Sequence, residues 1–502
     1  MPPTRRLSVL LAASVLVTAV TACQESAASG ALSSAPPPGT TSSAPPSTST
    51  PPPPPQKFTL TVDQPRESPG VVVQGVGGAP YNYAPSVLSE NGRLRAWWCS
   101  QMGVAEPGGD DVLHSEGSAL DGAFSVATPV FSGSYTGFDA MHVCDPSVIR
   151  VGGTYYMYYT GASRDNHANG SSVGVATSPD GVNWTRAGGG QAIVVPANDV
   201  IRENTYGAGQ QSAVHVDGWF YLMFTDTTGR VSHPNGAGQY VLRSRDPFFG
   251  TGVEALTDAG MVPVATTHQP RTRSVVEAFS ADWMWIDAAS AFAIAHETDA
   301  GTTITFWNED FTRQPFDPVL IPGVWREGPG LVRTAEGHAP ISRSDPCGRV
   351  SLDVLRATVI GEAGAPTAIR HFGLDAVGLR GCATAAEASA LDGFAFPSPE
   401  NTADVVVGGQ VVRFERRSVA EKFARGVLKE RPAVVEPLPV AVRVPAGAQA
   451  VRAPDGAVGL VLDGGLWIVG SAEVAALNSS PITDVTAAQW ARYERRSELV
   501  AG

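Results

Sequence analysis

Apolar and polar positions across residues 57–385 fall into short runs separated by two-residue turn signals, and the same order of runs returns along the chain. The clearest unit opens with Asp145-Pro146-Ser147-Val148-Ile149-Arg150, turns at Gly152-Gly153 and continues as Thr154-Tyr155-Tyr156-Met157-Tyr158-Tyr159-Thr160. A third run, Ser172-Val173-Gly174-Val175-Ala176-Thr177-Ser178, leads through Pro179-Asp180-Gly181 to Val182-Asn183-Trp184-Thr185. Short β-rich runs joined by such turns predict four antiparallel strands. The pattern recurs at Ala84-Pro85-Ser86-Val87-Leu88 with Arg95-Ala96-Trp97-Trp98-Cys99, and at Gln210-Gln211-Ser212-Ala213-Val214 with Trp219-Phe220-Tyr221-Leu222-Met223-Phe224. Looser copies start at Asp282-Trp283-Met284-Trp285-Ile286 and at Gly328-Pro329-Gly330-Leu331-Val332-Arg333. Unit starts near 84, 145, 210, 281 and 328 predict an all-β fold, a five-bladed β-propeller over residues 57–385. An irregular β-sandwich explains neither the repeats nor their internal order.

Beyond residue 385 the rhythm changes. Asp404-Val405-Val406-Val407-Gly408-Gly409-Gln410-Val411-Val412 resembles Gly459-Leu460-Val461-Leu462-Asp463-Gly464-Gly465-Leu466-Trp467. Each reads as a hairpin with a Gly-Gly turn, followed by a helix-prone stretch at 418–425 or 471–477. Residues 386–502 are therefore expected to form two small α+β repeats, too small to fold alone and packed on each other or on the propeller. At the other end, Arg5 and Arg6 precede an apolar stretch, Leu7 to Val20, that is short for a membrane span. Val20-Thr21-Ala22-Cys23 resembles a bacterial lipobox. Residues 1–22 are then a lipoprotein signal peptide and Cys23 the lipidation site, the alternative being an ordinary signal peptide with an incidental cysteine. Residues 23–56, rich in Pro, Ser and Thr, are expected to be a disordered, semi-rigid spacer. The expected location is the outer face of a bacterial cell membrane, held by the N-terminal lipid alone.

Composition narrows the class of partner. Only 17% of residues are charged, Gly (54) and Pro (40) are abundant, and the net charge is −13. An acidic chain without a basic stripe argues against nucleic acid and against electrostatic adhesion to anionic lipid. Neutral glycans remain open as ligands. With Cys23 set aside, Cys99, Cys144, Cys347 and Cys382 are an even set in an oxidising compartment, so two disulfides are expected. Three connectivities are open; sequential pairing is the one expected. No CxxC pair is present, so no zinc site is expected.

In a propeller the first strand of each blade lines the central channel, so polar residues that open those strands converge. Here they are Tyr83, Asp145, Gln210, Asp282 and Glu327, with Ala84 beside Tyr83. Asp139 and His142 precede Asp145 and could enter from the rim, as could Tyr81 and Asn82. Each also has a plainer reading. Asp145 could bond strand amides, Asp282 could be a turn residue, His142 could be structural, and Glu327 could pair with Arg326 or Arg273. Trp97, Trp98 and the Tyr155–Tyr159 run alternate along strands and read as core between blades. Trp467 and Trp490 read as core more readily than as platforms for sugar rings.

Phe138-Asp139-Ala140-Met141-His142-Val143-Cys144-Asp145-Pro146-Ser147-Val148, with the Gly153-to-Tyr159 strand and Ser178-Pro179-Asp180-Gly181-Val182-Asn183-Trp184, resembles the five-bladed propeller glycoside hydrolases. These are the arabinanase, levansucrase and invertase superfamily, with family 43 the nearest broad relative; the resemblance spans about residues 60–380. It implies carboxylates drawn from different blades, one protonated to assist the leaving oxygen and one ionised to activate water. Asp145 matches the second-blade aspartate. Ala84 stands where a first-blade aspartate is implied, and Gln210 where a glutamate is implied. The expected function is an extracytoplasmic glycoside hydrolase acting on a polysaccharide or oligosaccharide, with Asp145, Glu327 and Asp282 catalytic and Tyr83, Asp139, His142 and Gln210 binding substrate. The alternatives are a non-catalytic glycan-binding propeller and a cell-surface scaffold, the last favoured by an apolar plug in the channel. No cofactor is required, room is left for a bound cation such as calcium, and a monomer is expected.

Overall fold

The computed structural model describes residues 57–75, 79–101, 109–163, 170–496 and 498–499. The expected signal segment, Cys23 and the spacer lie outside the described residues. No helix among the described residues is long and apolar enough to cross a membrane.

The chain is mostly β, arranged in successive antiparallel sheets in a propeller-like order. The first sheet runs Asn82–Glu90, Arg93–Ser100, Asp111–Gly117, Thr128–Phe131. The second runs His142–Val151, Thr154–Ala162, Ser172–Ser178, Thr185–Arg186. The third runs Ala208–Val216, Trp219–Asp226, Gln239–Ser244, Glu254–Thr257, with Gly260–Pro263 added at its edge. The fourth runs Ala281–Ile286, Ala291–Thr298, Gly301–Asn308, Val319–Pro322. The fifth takes Glu327–Arg333, Arg349–Ile360 and Pro366–Val377, and its outermost strand, Thr61–Glu67, comes from the start of the described chain. First strands of successive sheets touch, and the fifth returns to the first through a parallel pairing of Val332 with Val87. Tight turns set the hairpins: Asn91-Gly92, Gly152-Gly153 and Asp217-Gly218 all have both residues at positive φ, the geometry of a two-residue turn whose twist matches the flanking strands.

Burial explains why the strands are apolar on both faces. Each neighbouring pair of sheets encloses its own apolar cluster. Leu88, Trp97 and Phe131 meet Val148 and Met157 between the first and second, and Ile149 and Val175 meet Leu222 and Phe224 between the second and third. Tyr221 and Met223 meet Trp283 and Phe292, and Met284 and Phe306 meet Leu352 and Phe372. Val332 and Leu355 meet Val87 and Trp98 to complete the ring. Trp97 and Trp98 thus bury on opposite faces of one strand, as the period of two requires.

Past the fifth sheet the chain forms two more sheets, one built on the hairpin Ala403–Val407/Gln410–Phe414 and one on Val458–Leu462/Gly465–Ile468. Each hairpin is followed by a short helix, Arg417–Phe423 or Ala472–Leu477. The first turn is Gly408-Gly409, but the second is Asp463-Gly464, with Gly465 already in its strand. The two share one core, in which Val405, Phe414 and Phe423 meet Leu460, Trp467 and Val474. Trp467 and Trp490 are both buried. The disulfides are Cys99–Cys144 and Cys347–Cys382. The second lies against the cluster of Ala388, Leu391, Phe396 and Val406, where the propeller-like part meets the C-terminal sheets.

Candidate active site

The first three sheets share a local distortion of their innermost strand. Pairing slips between Tyr83 and Ser86, between Cys144 and Ser147, and between Gly209 and Ser212. Inside the three bulges Ala84, Asp145 and Gln210 take φ of 46°, 48° and 50°. Left-handed backbone is costly for residues with a Cβ, and a bulge re-aims the side chain it carries. Ala84, Asp145 and Gln210 are therefore equivalent positions, of which the first carries only a methyl. The fifth sheet slips likewise between Glu327 and Gly330.

Asp145 and Gln210 meet directly. Gln210 Nε2 donates to Asp145 Oδ1 at 3.0 Å, and the Tyr206 hydroxyl donates to Oδ2 at 3.1 Å. Burial raises the Asp145 carboxyl above its ordinary range, and hydrogen bonds and the nearby His142 pull it back. Burial, then the charge of Asp145, drives the Tyr206 phenol well up, so it keeps its proton and donates. The Cys99–Cys144 disulfide sits beneath, with Cys144 Sγ 3.4 Å from Asp145 Oδ1.

Glu327 opens the innermost strand of the fifth sheet. Ser280 Oγ donates to its Oε1 at 3.0 Å. Neither arginine weighed as a partner pairs with it: Arg326 turns to the Trp325 carbonyl and Arg273 to the carbonyls of Thr257 and Phe311. Burial raises its pKa to about 7, with the charge of Asp145 adding to the shift and the Ser280 bond opposing it. Of the two interacting carboxyls, Asp145 holds more hydrogen-bond donors, which favour its charged form.

Tyr83, His142, Gln210 and Glu327 line one cleft of about 610 Å³, together with Tyr81, Phe279 and Asp110. That volume suits a small ligand. Below it, between Asp145, Gln210 and Asp282, the channel narrows to about 30 Å³, room for about one water. The narrow part is lined largely by Ser, Gln and Asp side chains with Pro, Ala and Gly, and holds no large apolar plug.

Two of the expected residues are placed elsewhere. Asp282 lines the narrow part, but both its oxygens are taken: the Leu331 amide donates at 2.7 Å, the Trp283 amide at 3.0 Å, and the buried Arg333 guanidinium lies 3.2 Å away. The fourth sheet has no slip there, Asp282 pairing in register with Ala295, so nothing turns this side chain toward the cleft. Asp139 is a buried ion-pair partner of Arg186 at 2.6 Å and also accepts from Ser134 and Tyr159. It bonds within and beside the second sheet and does not line the cleft.

Asp110 was not singled out from the sequence. It precedes the third strand of the first sheet and is buried. It accepts from the hydroxyls of Tyr81 and Tyr83, and its Oδ2 lies 3.6 Å from His142 Nδ1. Two groups among the described residues could gather round a cation, Cys99/Cys144/Asp145 and Asp110/His142/Cys144. Both depend on disulfide sulfurs, and neither offers the six or so oxygens that calcium takes. The donor set does not fit that ion.

No family model and no curated protein matches the chain. Among solved structures, it is similar to Zg3597, a family 117 glycoside hydrolase of the marine bacterium Zobellia galactanivorans, at 12% identity and a TM-score of 0.44, over 62% of this chain and 90% of that one. It is similar to the catalytic domain of the Coprinopsis cinerea GH62 alpha-L-arabinofuranosidase, at 14% identity and a TM-score of 0.39, over 63% of this chain and 97% of that one. It is also similar to sucrose-6-phosphate hydrolase from Lactobacillus gasseri, at 10% identity and a TM-score of 0.40, over 70% of this chain and 64% of that one. Neither activity nor substrate passes to this chain on that ground.

Proposed function

We propose that the chain is an exported glycoside hydrolase: a five-bladed β-propeller followed by two small α+β repeats, cleaving a polysaccharide or oligosaccharide at the mouth of its channel. The observation that carries this is the pair of interacting carboxyls, buried Asp145 and half-buried Glu327, with no cation paired to Glu327 among the described residues. Glu327, protonated up to about pH 7, gives its proton to the departing glycosidic oxygen. Asp145, ionised and held by Tyr206 and Gln210, takes a proton from the attacking water. Two carboxyls whose surroundings push their pKa values apart are what such chemistry needs. No cofactor enters these steps. Lipid on Cys23 and the spacer of residues 23–56 would hold a monomer at the outer face of the cell membrane, with no nucleic-acid partner.

A second reading, a glycan-binding propeller without turnover, is favoured by one observation: Ala84 and Gln210 occupy the positions equivalent to Asp145 and carry no carboxylate. Product release from bacterial wall arabinans, plant arabinoxylans and fructans separates the two, using the chain beside Asp145→Ala. Release by the parent and not by the variant supports the hydrolase. Binding of a glycan by both folded proteins without release from any glycan supports the binder.

A further inference from the structure

We propose that Asp110 is a sugar-binding residue of the cleft and that it selects uncharged glycans. It takes the place of the acidic side chain that the first sheet lacks at Ala84. This rests on the glycan-cleft part of the reading above and not on turnover.

Geometry places the carboxylate there. The bulge that aims Asp145 and Gln210 inward is repeated at Ala84, where only a methyl is carried. Its neighbour Tyr83 directs its hydroxyl to Asp110, as does Tyr81. The third strand of the same sheet thus delivers, from its start, what the first strand does not. His142 reaches the same carboxylate from the second sheet, at 3.6 Å. Asp110 therefore orients two cleft-lining tyrosines and faces a third cleft side chain, His142, from the second sheet.

The remaining bonding capacity points to a ligand. Each Asp110 oxygen accepts one tyrosine hydroxyl, and a carboxylate oxygen has two lone pairs. Among the described residues nothing else donates to either oxygen, His142 standing off at 3.6 Å from Oδ2, so one more donor can be taken on each, which suits two neighbouring hydroxyls of a sugar ring. The Asp110 side chain keeps 11% of its surface exposed and lines the cleft. Charge then sets the class of sugar. Asp110 lines this cleft and Asp145 lies at its base, whereas no Lys or Arg lines it among the described residues. A uronic acid would bring a further negative charge to this wall, where His142, already beside Asp110, is the one basic side chain among the described lining residues.

The test is equilibrium binding, by calorimetry, of arabinotriose, xylotriose, kestose and trigalacturonate. The proteins are the full chain and its Glu327→Gln, Asp110→Asn and Tyr81→Phe variants, each checked for folding by thermal unfolding. The expected result is binding of at least one neutral trisaccharide by the parent, with Glu327→Gln as the background for any sugar that the parent cleaves. Asp110→Asn then weakens it by about ten-fold or more, Tyr81→Phe weakens it less, and trigalacturonate binds the parent at least about ten-fold more weakly than the neutral sugar. Unchanged affinity in Asp110→Asn, equal affinity for trigalacturonate, or no binding of any neutral trisaccharide by the parent would each overturn the proposal. Binding without hydrolysis would remove the hydrolase reading and leave this one standing. Hydrolysis unaffected in Asp110→Asn would do the reverse.

Discussion

The mouth of the channel and its narrow floor treat a buried carboxylate in opposite ways. At the floor, Asp282 faces Arg333, whose side chain is fully buried and also donates to Ser212 Oγ and to the carbonyls of Ala213 and Trp283. That arrangement ties the inner strands of the third, fourth and fifth sheets. At the mouth, Glu327 has Ser280 and the charge of Asp145 for company, and its pKa rises to about 7. A carboxylate bonded to a buried cation and to backbone amides serves the fold. One buried without a cation keeps its proton and has it to give.

Several substitutions break or sharpen this contrast. The largest effect is expected from Glu327→Gln, which keeps the shape and removes the proton donor. Glycan hydrolysis should fall by about 10²- to 10⁴-fold with thermal unfolding little changed, as product release and calorimetry would show. At the floor, Asp282→Ala should act on stability, since it leaves Arg333 buried and unpaired. Denaturant unfolding should register a loss of about 3–5 kcal/mol. Asp145→Asn should couple the regions' logic within the mouth. Removing the negative charge that raises Glu327 lowers the pH at which Glu327 deprotonates, so the fall of residual activity at high pH should move to lower pH in a rate profile. The smallest effect is on the pH dependence of folding. Glu327 ionises near 4.5 in the unfolded chain and near about 7 in the folded one, so the folded state holds the extra proton between those values. Stability should therefore decline as pH rises from about 4.5 to about 7, by on the order of 3 kcal/mol, and Glu327→Gln should lack that decline.

What could be read in the sequence follows from the same contrast. The repeated strand–turn–strand units place the innermost strands near residues 84, 145, 210, 281 and 328, where they are found. Trp97 and Trp98 read as core because alternation on a strand buried on both faces leaves them nowhere else to go. Cys99–Cys144 and Cys347–Cys382 pair in sequence order. The rule that inner-strand polar residues converge holds for Tyr83, Gln210 and Glu327, which line the cleft, and for Asp145 at its base. It misleads for Asp282, because the fourth sheet lacks the bulge and an arginine from the next sheet was invisible as a partner. Asp139 lies close to His142 in sequence, yet the chain turns it to Arg186. Asp110 follows Gly109 at the start of a third strand, outside the positions the rule searches. Tyr81, just before the first strand, and Tyr83, within it, mark it in space and not in sequence.

The most direct measurement is the titration of the Glu327 carboxyl itself. Carbon-13 resonances of labelled glutamate would be followed with pH, assigned by their absence in Glu327→Gln and repeated in Asp145→Asn. A carboxyl titrating near 7 in the parent and lower in Asp145→Asn is the predicted result. Titration near 4.5 in both would contradict the assignment of Glu327 as the acid of the site.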